Sequence, residues 1–411
     1  MDLSTDFPLA GIRIVDLTHN WAGPHATRIM ADFGAEVIKI EYARRMDAMR
    51  GAKKEDQAYN HHSRWYQINR NKHSLTLDLK NPADRGVFTD LAATADVVVE
   101  SSRPGVLPRL GVGYDSLRKL KADIILLSMS AFGQTGPESS FAAYGGSLEP
   151  LSGIQGLTAY GPGQRPTRIR EVDVTNGVLG ACAIMTALWH RQRTGEGQWI
   201  DLSQLEAAIS GLIGEHMLQY HATGTQALPC GNRHFLYAPQ GCYRCKGTDN
   251  WITICVRSDR EWKALCAVLG HDWLGADPSF CTMEGRANRH DEIDRLIELW
   301  TSLYEPTEAM TLLQDAGVPA GAVLDVQGLA NNSQLRERGF FIAGPGSRQC
   351  CFPGFPFKLS GGRSELRTQG PLLGESNSYV MSELLRRSEA EVIALSEEAI
   401  GTAYDVEEDK K

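Results

Sequence analysis

Short apolar runs alternate with longer amphipathic stretches through the first 130 or so residues of the chain. "GIRIVDLT" (Gly11–Thr18) reads as a buried strand. "PHATRIMADFG" (Pro24–Gly34) reads as a helix, with Pro24 at its start and Gly34 as its stop. "AEVIKIE" (Ala35–Glu41) is a second strand and "HSLTLDL" a third. "PADRGVFTDLAATA" predicts a helix, "DVVVE" a strand, "GYDSLRKLKA" a short helix and "DIILLSMSA" another strand. Brief apolar runs separated by helical patterns predict βαβ units around a parallel sheet, hence an α/β fold with a Rossmann-like start. This order puts "NWAGP", "SSRPG" and "AFGQTGP" just beyond the carboxyl ends of strands, where open α/β sheets bind ligands.

A long, mostly apolar helix is predicted from about Val174 to Arg193, followed by a short extended piece and another helix. From about His221 the pattern changes. "PQGCYRCKGTDNWITICVRSDREWKALCAVLG" offers a short strand, a Gly-Thr-Asp-Asn turn, a strand "WITICV" and a helix. The expected division is a large domain over 1–220, a smaller α/β domain over 221–327, and a segment over 328–411 returning to the large domain. "SEAEVIALSEEAIGTAY" predicts a late acidic helix. There is no internal repeat and no low-complexity linker.

Composition narrows the function. The 411 residues suffice for a large core, and 42 Lys and Arg against 50 Asp and Glu leave a net charge of −8. That balance argues against general nucleic-acid binding while allowing local basic pockets. The N-terminal "MDLSTDFPLAG" is no secretory signal, and the apolar helix, interrupted by Asn176 and His190, does not read as a membrane span. Nine cysteines, an odd number, do not predict a disulfide framework in a chain of this size. Cys242 and Cys245 have zinc-like spacing without a second pair at finger distance, and Cys350 and Cys351 are adjacent; no metal is expected. A reduced, cytoplasmic protein fits. After Val15 the chain reads "DLTHNWAGPH" rather than GxGxxG, and "AFGQTGP" is not GxxxxGK[ST], so neither NAD nor ATP is called for.

Asp173, in "RIREVDVTNGVLG", stands at the mouth of the long helix. It suits an N-cap, and it suits a nucleophile, since a carboxylate can attack a thioester and form a mixed anhydride. Such attack needs amides to receive the oxyanion, and Tyr144, Gly145 and Gly146 ("YGG") offer flexible backbone donors.

Several segments in order, "AGPHATRIMADFGAEVIKIE", "NRNKHSLTLDLKNP", "VVVESSRPGVLPRLGVGYDSL", "LSMSAFGQTGP", "VDVTNGVLGACAIMTALWHRQRTGEGQWIDLS", "GVPAGAVLDVQGLANNSQLRERGFF" and "PLLGESNSYV", resemble family III CoA-transferases, the CaiB/BaiF-like group that includes formyl-CoA transferases. The resemblance covers nearly the whole chain. It implies a Rossmann-like large domain, a smaller α/β domain, and two chains interlocked as rings. It places the family's catalytic aspartate at Asp173, which attacks an acyl-CoA to give an aspartyl-acyl anhydride. It makes Lys39, Lys72, Arg103 and Arg109 candidates for the CoA phosphates, with coenzyme A entering as an acyl-CoA substrate and a carboxylic acid as its partner. The family pattern often has Asn-Phe before Arg-Pro-Gly, where this chain has Ser101 and Ser102, so Ser101 is a weaker polar candidate at CoA.

The rival reading within the superfamily is an alpha-methylacyl-CoA racemase. Racemase-like sequences carry His-Asp after the Gly-Gln-Thr-Gly-Pro segment, and here Tyr144 and Gly145 stand in those places. Formyl-CoA transferases have Tyr-Glu there and a run of four glycines later; this chain has neither, which weakens a formyl or oxalate assignment. His216, His221 and His234 crowd the middle segment, and Arg233 is a candidate for a second substrate carboxylate. A succinyl-CoA donor with a substituted or aromatic dicarboxylic acceptor, such as benzylsuccinate, is the working expectation. The alternatives outside catalysis are an inactive acyl-CoA-binding scaffold and a heterodimer of paralogues in place of a homodimer.

Overall fold

The computed structural model describes residues 7–51, 55–344, 351–361 and 363–392. They form two units. One contains the described residues within 1–154, 168–224 and 339–411; the other contains 155–167 and 225–338. The smaller unit thus begins close to the expected 221, runs past the expected 327, and recruits residues 155–167. That recruitment rests on contacts such as the Gly231 amide on the Ala159 carbonyl (3.2 Å), which no local pattern announces.

The larger unit is built on six parallel strands: β1 (Arg13–Leu17), β2 (Glu36–Glu41), β3 (Lys72–Thr76), β4 (Val97–Glu100), β5 (Ile125–Ser130) and β6 (Trp199–Ser203), in the order β3-β2-β1-β4-β5-β6. Val15 lies opposite Ile38 on one side and Val98 on the other. The inner strands are buried on both faces, which is why they read as largely apolar runs. Because successive side chains alternate faces, Val15, Ile38, Val98 and Leu126 enter one core, with Phe88, Val380 and Met381. Ile14, Val37, Val97 and Leu127 enter the other, with Met30 and Ile184.

The helices are α1 (Ala22–Asp32), α2 (Ser63–Asn69), α3 (Pro82–Thr94), α4 (Val106–Arg109), α5 (Tyr114–Leu120), α6 (Gly145–Leu151), α7 (Val172–Thr194), α8 (Gln204–Leu212) and α9 (Gly214–Thr223). By length and composition α7 is apolar enough to cross a membrane, a property the interruption by Asn176 and His190 had hidden. In the structure it is a packing helix. Glycines let it approach closely: a Cβ on Gly177 would fall 2.5 Å from the His25 ring, and one on Gly180 3.0 Å from Met129. The helix stops at Gly195, whose φ of 76° is the left-handed conformation glycine adopts at least cost.

The smaller unit carries an antiparallel sheet, β7 (Gln240–Arg244), β8 (Trp251–Cys255) and β9 (Ala320–Ala322), in that order. Its core joins Ile252 and Ile254 to Trp262, Leu265, Ile297 and Leu313 of the flanking helices. Cys245 and Cys266 belong to that core. Burial pushes the Cys245 thiol up to about 11 and that of Cys266 to about 12. The expected late acidic helix lies outside the described residues beyond Val392, as does Cys350.

Candidate active site

The chain leaves β1 toward β2 on one side, and the next strand beside β1 is β4; the carboxyl ends of β1 and β4 therefore flank the switch point where such sheets bind ligands. The His19 amide donates to Ser101 Oγ there (3.2 Å). Beneath it, buried Asp16 accepts from the Thr18 amide (2.9 Å), Thr27 Oγ1 (2.7 Å) and Lys72 Nζ (3.0 Å). Lys39 Nζ donates to the Thr18 carbonyl and lies 3.4 Å from Asp47. Burial by itself would raise the Asp16 carboxyl, but Lys72 and Lys39, with the two threonine hydroxyls, hold it well below the usual carboxylate range. Lys39 and Lys72, the other two CoA candidates, have enclosed ammonium groups paired with carboxylates and brace the β1 loop.

Arg103 is exposed and lines a cavity of about 440 Å³ beyond the ends of β4 and β5, with Tyr114, Gln134, Thr135 and Trp199. Arg109 is on α4, folded over Gly105, where a Cβ would come 2.9 Å from its Nη1.

A second cluster forms where α6 and α7 begin. Helix α7 starts at Val172, two residues before the sequence pattern indicates, so Asp173 lies inside the first turn and is not the cap; Glu171 holds that position. Four residues on, Gly177 touches His25 near the start of α1, about 6 Å along the helix, which puts Asp173 at the carboxyl edge of the sheet. Its carboxylate lies against Gly145, the first residue of α6: a Cβ there would be 2.5 Å from Oδ2. One residue later, a Cβ on Gly146 would be 3.1 Å from the Arg168 guanidinium. Arg168 Nε donates to Glu149 Oε2 (3.2 Å), whose side chain is buried. Among the described residues Asp173 accepts no hydrogen bond, and the Gly145 and Gly146 amides have no acceptor. Burial, then the Glu149 charge, raise the Asp173 carboxyl above its ordinary value; Arg168 opposes the shift. Tyr144 is exposed at the entrance of this cluster, not in a core.

Asp173, Tyr144, Gly145 and Gly146 are thus brought together, while Ser101 and Arg103 lie by the switch point. Arg233 Nη2 bonds Asp291 and Asp294, so two carboxylates answer its single charge. His234 stacks on Phe235 and Tyr237, His221 meets Tyr220 edge-on, and His216 pairs loosely with Glu215. Glu149 and Arg168 are additions. The sequence shows only a charged cluster before α7; their contact bridges 19 positions.

A family model described as "CoA-transferase family III" matches residues 9–377. The chain belongs to CoA-transferase family III. It is 36% identical to the acetyl-CoA:oxalate CoA-transferase of Acetobacter aceti, over 86% of this chain and 90% of that one. It is 31% identical to the succinyl-CoA–D-citramalate CoA-transferase of Chloroflexus aurantiacus, over 94% and 96%. Among solved structures it is similar to a CAIB/BAIF family protein from Brucella suis, with a TM-score of 0.83, 29% identity, and coverage of 92% of this chain and 100% of the other. The family III chain is an enzyme that moves CoA between acyl-CoA thioesters and carboxylic acids.

Proposed function

We propose that the chain catalyses reversible CoA transfer to a dicarboxylic acid, with succinyl-CoA as donor and Asp173 as nucleophile. The observation that carries this is the Asp173 carboxylate: at the carboxyl edge of the sheet, without a hydrogen-bond partner among the described residues, and against a glycine. A carboxylate in a hydrogen-bonded cap would be tied down. This one is poised to attack an acyl carbonyl.

Attack on the thioester gives an aspartyl-acyl anhydride and CoA thiolate. Exchange of carboxylates and return of the thiolate to the acceptor's anhydride give the new thioester and restore Asp173. Burial favours both steps by excluding water from the anhydride. The amides of Gly145 and Gly146 are our candidate oxyanion donors. Ser101 and Arg103 are our candidates on the CoA side, with Arg109 more distant; Arg103 offers an exposed fork suited to a phosphate. The oxalate and D-citramalate of the relatives' names are both dicarboxylic acids, which supports that acceptor class, and benzylsuccinate remains a member of it to be tried. Racemisation finds no support: Tyr144-Gly145 supplies no acid/base pair.

The test is incubation of the protein with succinyl-CoA and a panel of mono- and dicarboxylic acids, followed by mass spectrometry of new CoA thioesters and hydroxylamine trapping at Asp173. A trapped Asp173 and a new thioester support the reading. Deuterium uptake at the alpha carbon of a branched acyl-CoA, without exchange, replaces it with racemisation.

A further inference from the structure

We infer that Arg168 binds the non-reacting carboxylate of the acceptor and so selects dicarboxylic over monocarboxylic acids; this rests on the transferase reading of Asp173. The guanidinium lies on Gly146, and the Asp173 carboxylate lies on Gly145. Adjacent Cα atoms are about 3.8 Å apart, so the cation and the nucleophile occupy neighbouring positions on one helix turn. They are near enough for the charge of Arg168 to act on the Asp173 carboxyl.

Arg168 is held by one edge only. Its Nε donates to buried Glu149, which fixes the guanidinium plane from within. The side chain is 48% exposed, and among the described residues Nη1 and Nη2 have no hydrogen-bond partner. Those two nitrogens form the end-on fork that matches a carboxylate. Gly146 is what lets the fork sit so close, since any side chain there would meet the guanidinium. Arg233, the cation expected at a second substrate carboxylate, is already paired with Asp291 and Asp294. Arg168 takes part in no bond making. It holds one carboxylate while the acceptor's other carboxylate becomes the thioester.

The experiment uses the full chain with acetyl-CoA, a donor without a free carboxylate. Glutarate is compared with pentanoate, and benzylsuccinate with 4-phenylbutyrate. In Arg168→Gln, kcat/KM for the diacids should fall roughly 10- to 100-fold, the scale of one charge-assisted pair, mainly through KM. The monoacids, compared on the alkaline plateau, should change by less than about 3-fold, and because the Arg168 charge lowers the Asp173 carboxyl, the acid limb of hydroxylamine trapping from acetyl-CoA alone should move to higher pH in this variant. Arg168→Lys should recover part of the loss, and Arg170→Gln is the control for a neighbouring cation. Equal losses for diacids and monoacids on that plateau, loss in the Arg170 variant instead, or a native preference for monoacids each overturns the inference while leaving CoA transfer intact. Absence of trapping and of any new thioester in the native protein with both acetyl-CoA and succinyl-CoA overturns the transferase reading, and the inference with it.

Discussion

Asp173 works against its surroundings. Burial and the Glu149 charge favour its protonated form, yet attack on a thioester needs the carboxylate. The acid limb of the donor half-reaction should therefore lie above the ordinary aspartate value of 3.8. Glu149→Gln removes one of the two causes, so that limb should move to lower pH; a pH profile of Asp173 trapping reads it. The same shift bears on stability. A carboxyl whose pKa is raised on folding opposes folding when ionised, fully above its folded pKa and not at all below the unfolded one. Asp173→Asn should lose roughly 1,000-fold or more in kcat, as when a nucleophile is removed. It should also melt higher than the native chain at pH 7, with the gap closing as pH falls toward 3.8. An equal or lower melting temperature at pH 7 counts against the shift. Gly145→Ala would put a methyl group 2.5 Å from Oδ2 and should displace the nucleophile, cutting trapping at least about 10-fold with little change in circular dichroism.

At the scale of elements, β1 and α7 decide where chemistry happens. The loop after β1 is pinned by Asp16, Lys39 and Lys72, three charges wholly enclosed. Asp16→Ala leaves buried Lys72 without its carboxylate partner and should cost about 3–5 kcal/mol in denaturant unfolding. A loss below about 1 kcal/mol would mean the network is dispensable. Helix α7 carries Asp173 to the sheet edge only because Gly177 admits the His25 ring. Gly177→Ala should cost about 1–3 kcal/mol by overpacking and move Asp173 with the helix, so stability and Asp173 trapping should fall together.

At the scale of the molecule, apolar surface on the larger unit is left over. None of the residues of α9 is buried, and Leu218 is 72% exposed; on α7, Trp189 is 62% exposed. Large exposed side chains grouped on helices mark interaction surfaces, and the family resemblance supplies a second copy as their partner. We expect a homodimer by light scattering, and expect Leu218→Glu combined with Trp189→Glu to shift it toward monomer. A native chain that elutes as a monomer across a hundredfold range of concentration would remove this proposal.

The strands of the large sheet and most of its helices were legible in the sequence because their signals are local. A parallel strand buried on both faces must be largely apolar, and an amphipathic helix must repeat every 3.6 residues. The position of Asp173 at the start of α7 came the same way, and its proposed chemistry from resemblance. What the sequence could not tell was which charges are solvent-facing. Lys39 and Lys72 read as free cations, yet the fold encloses them beside Asp16 and Asp47. Arg233 read as free too, and its partners stand 58 and 61 positions away. Arg168 and Glu149 carry no pattern that links them, although the fold sets them beside the nucleophile. Charge has no periodicity that reveals its partner: pattern along the chain determined the elements, and only packing between distant segments decided which charged groups remain available for a substrate.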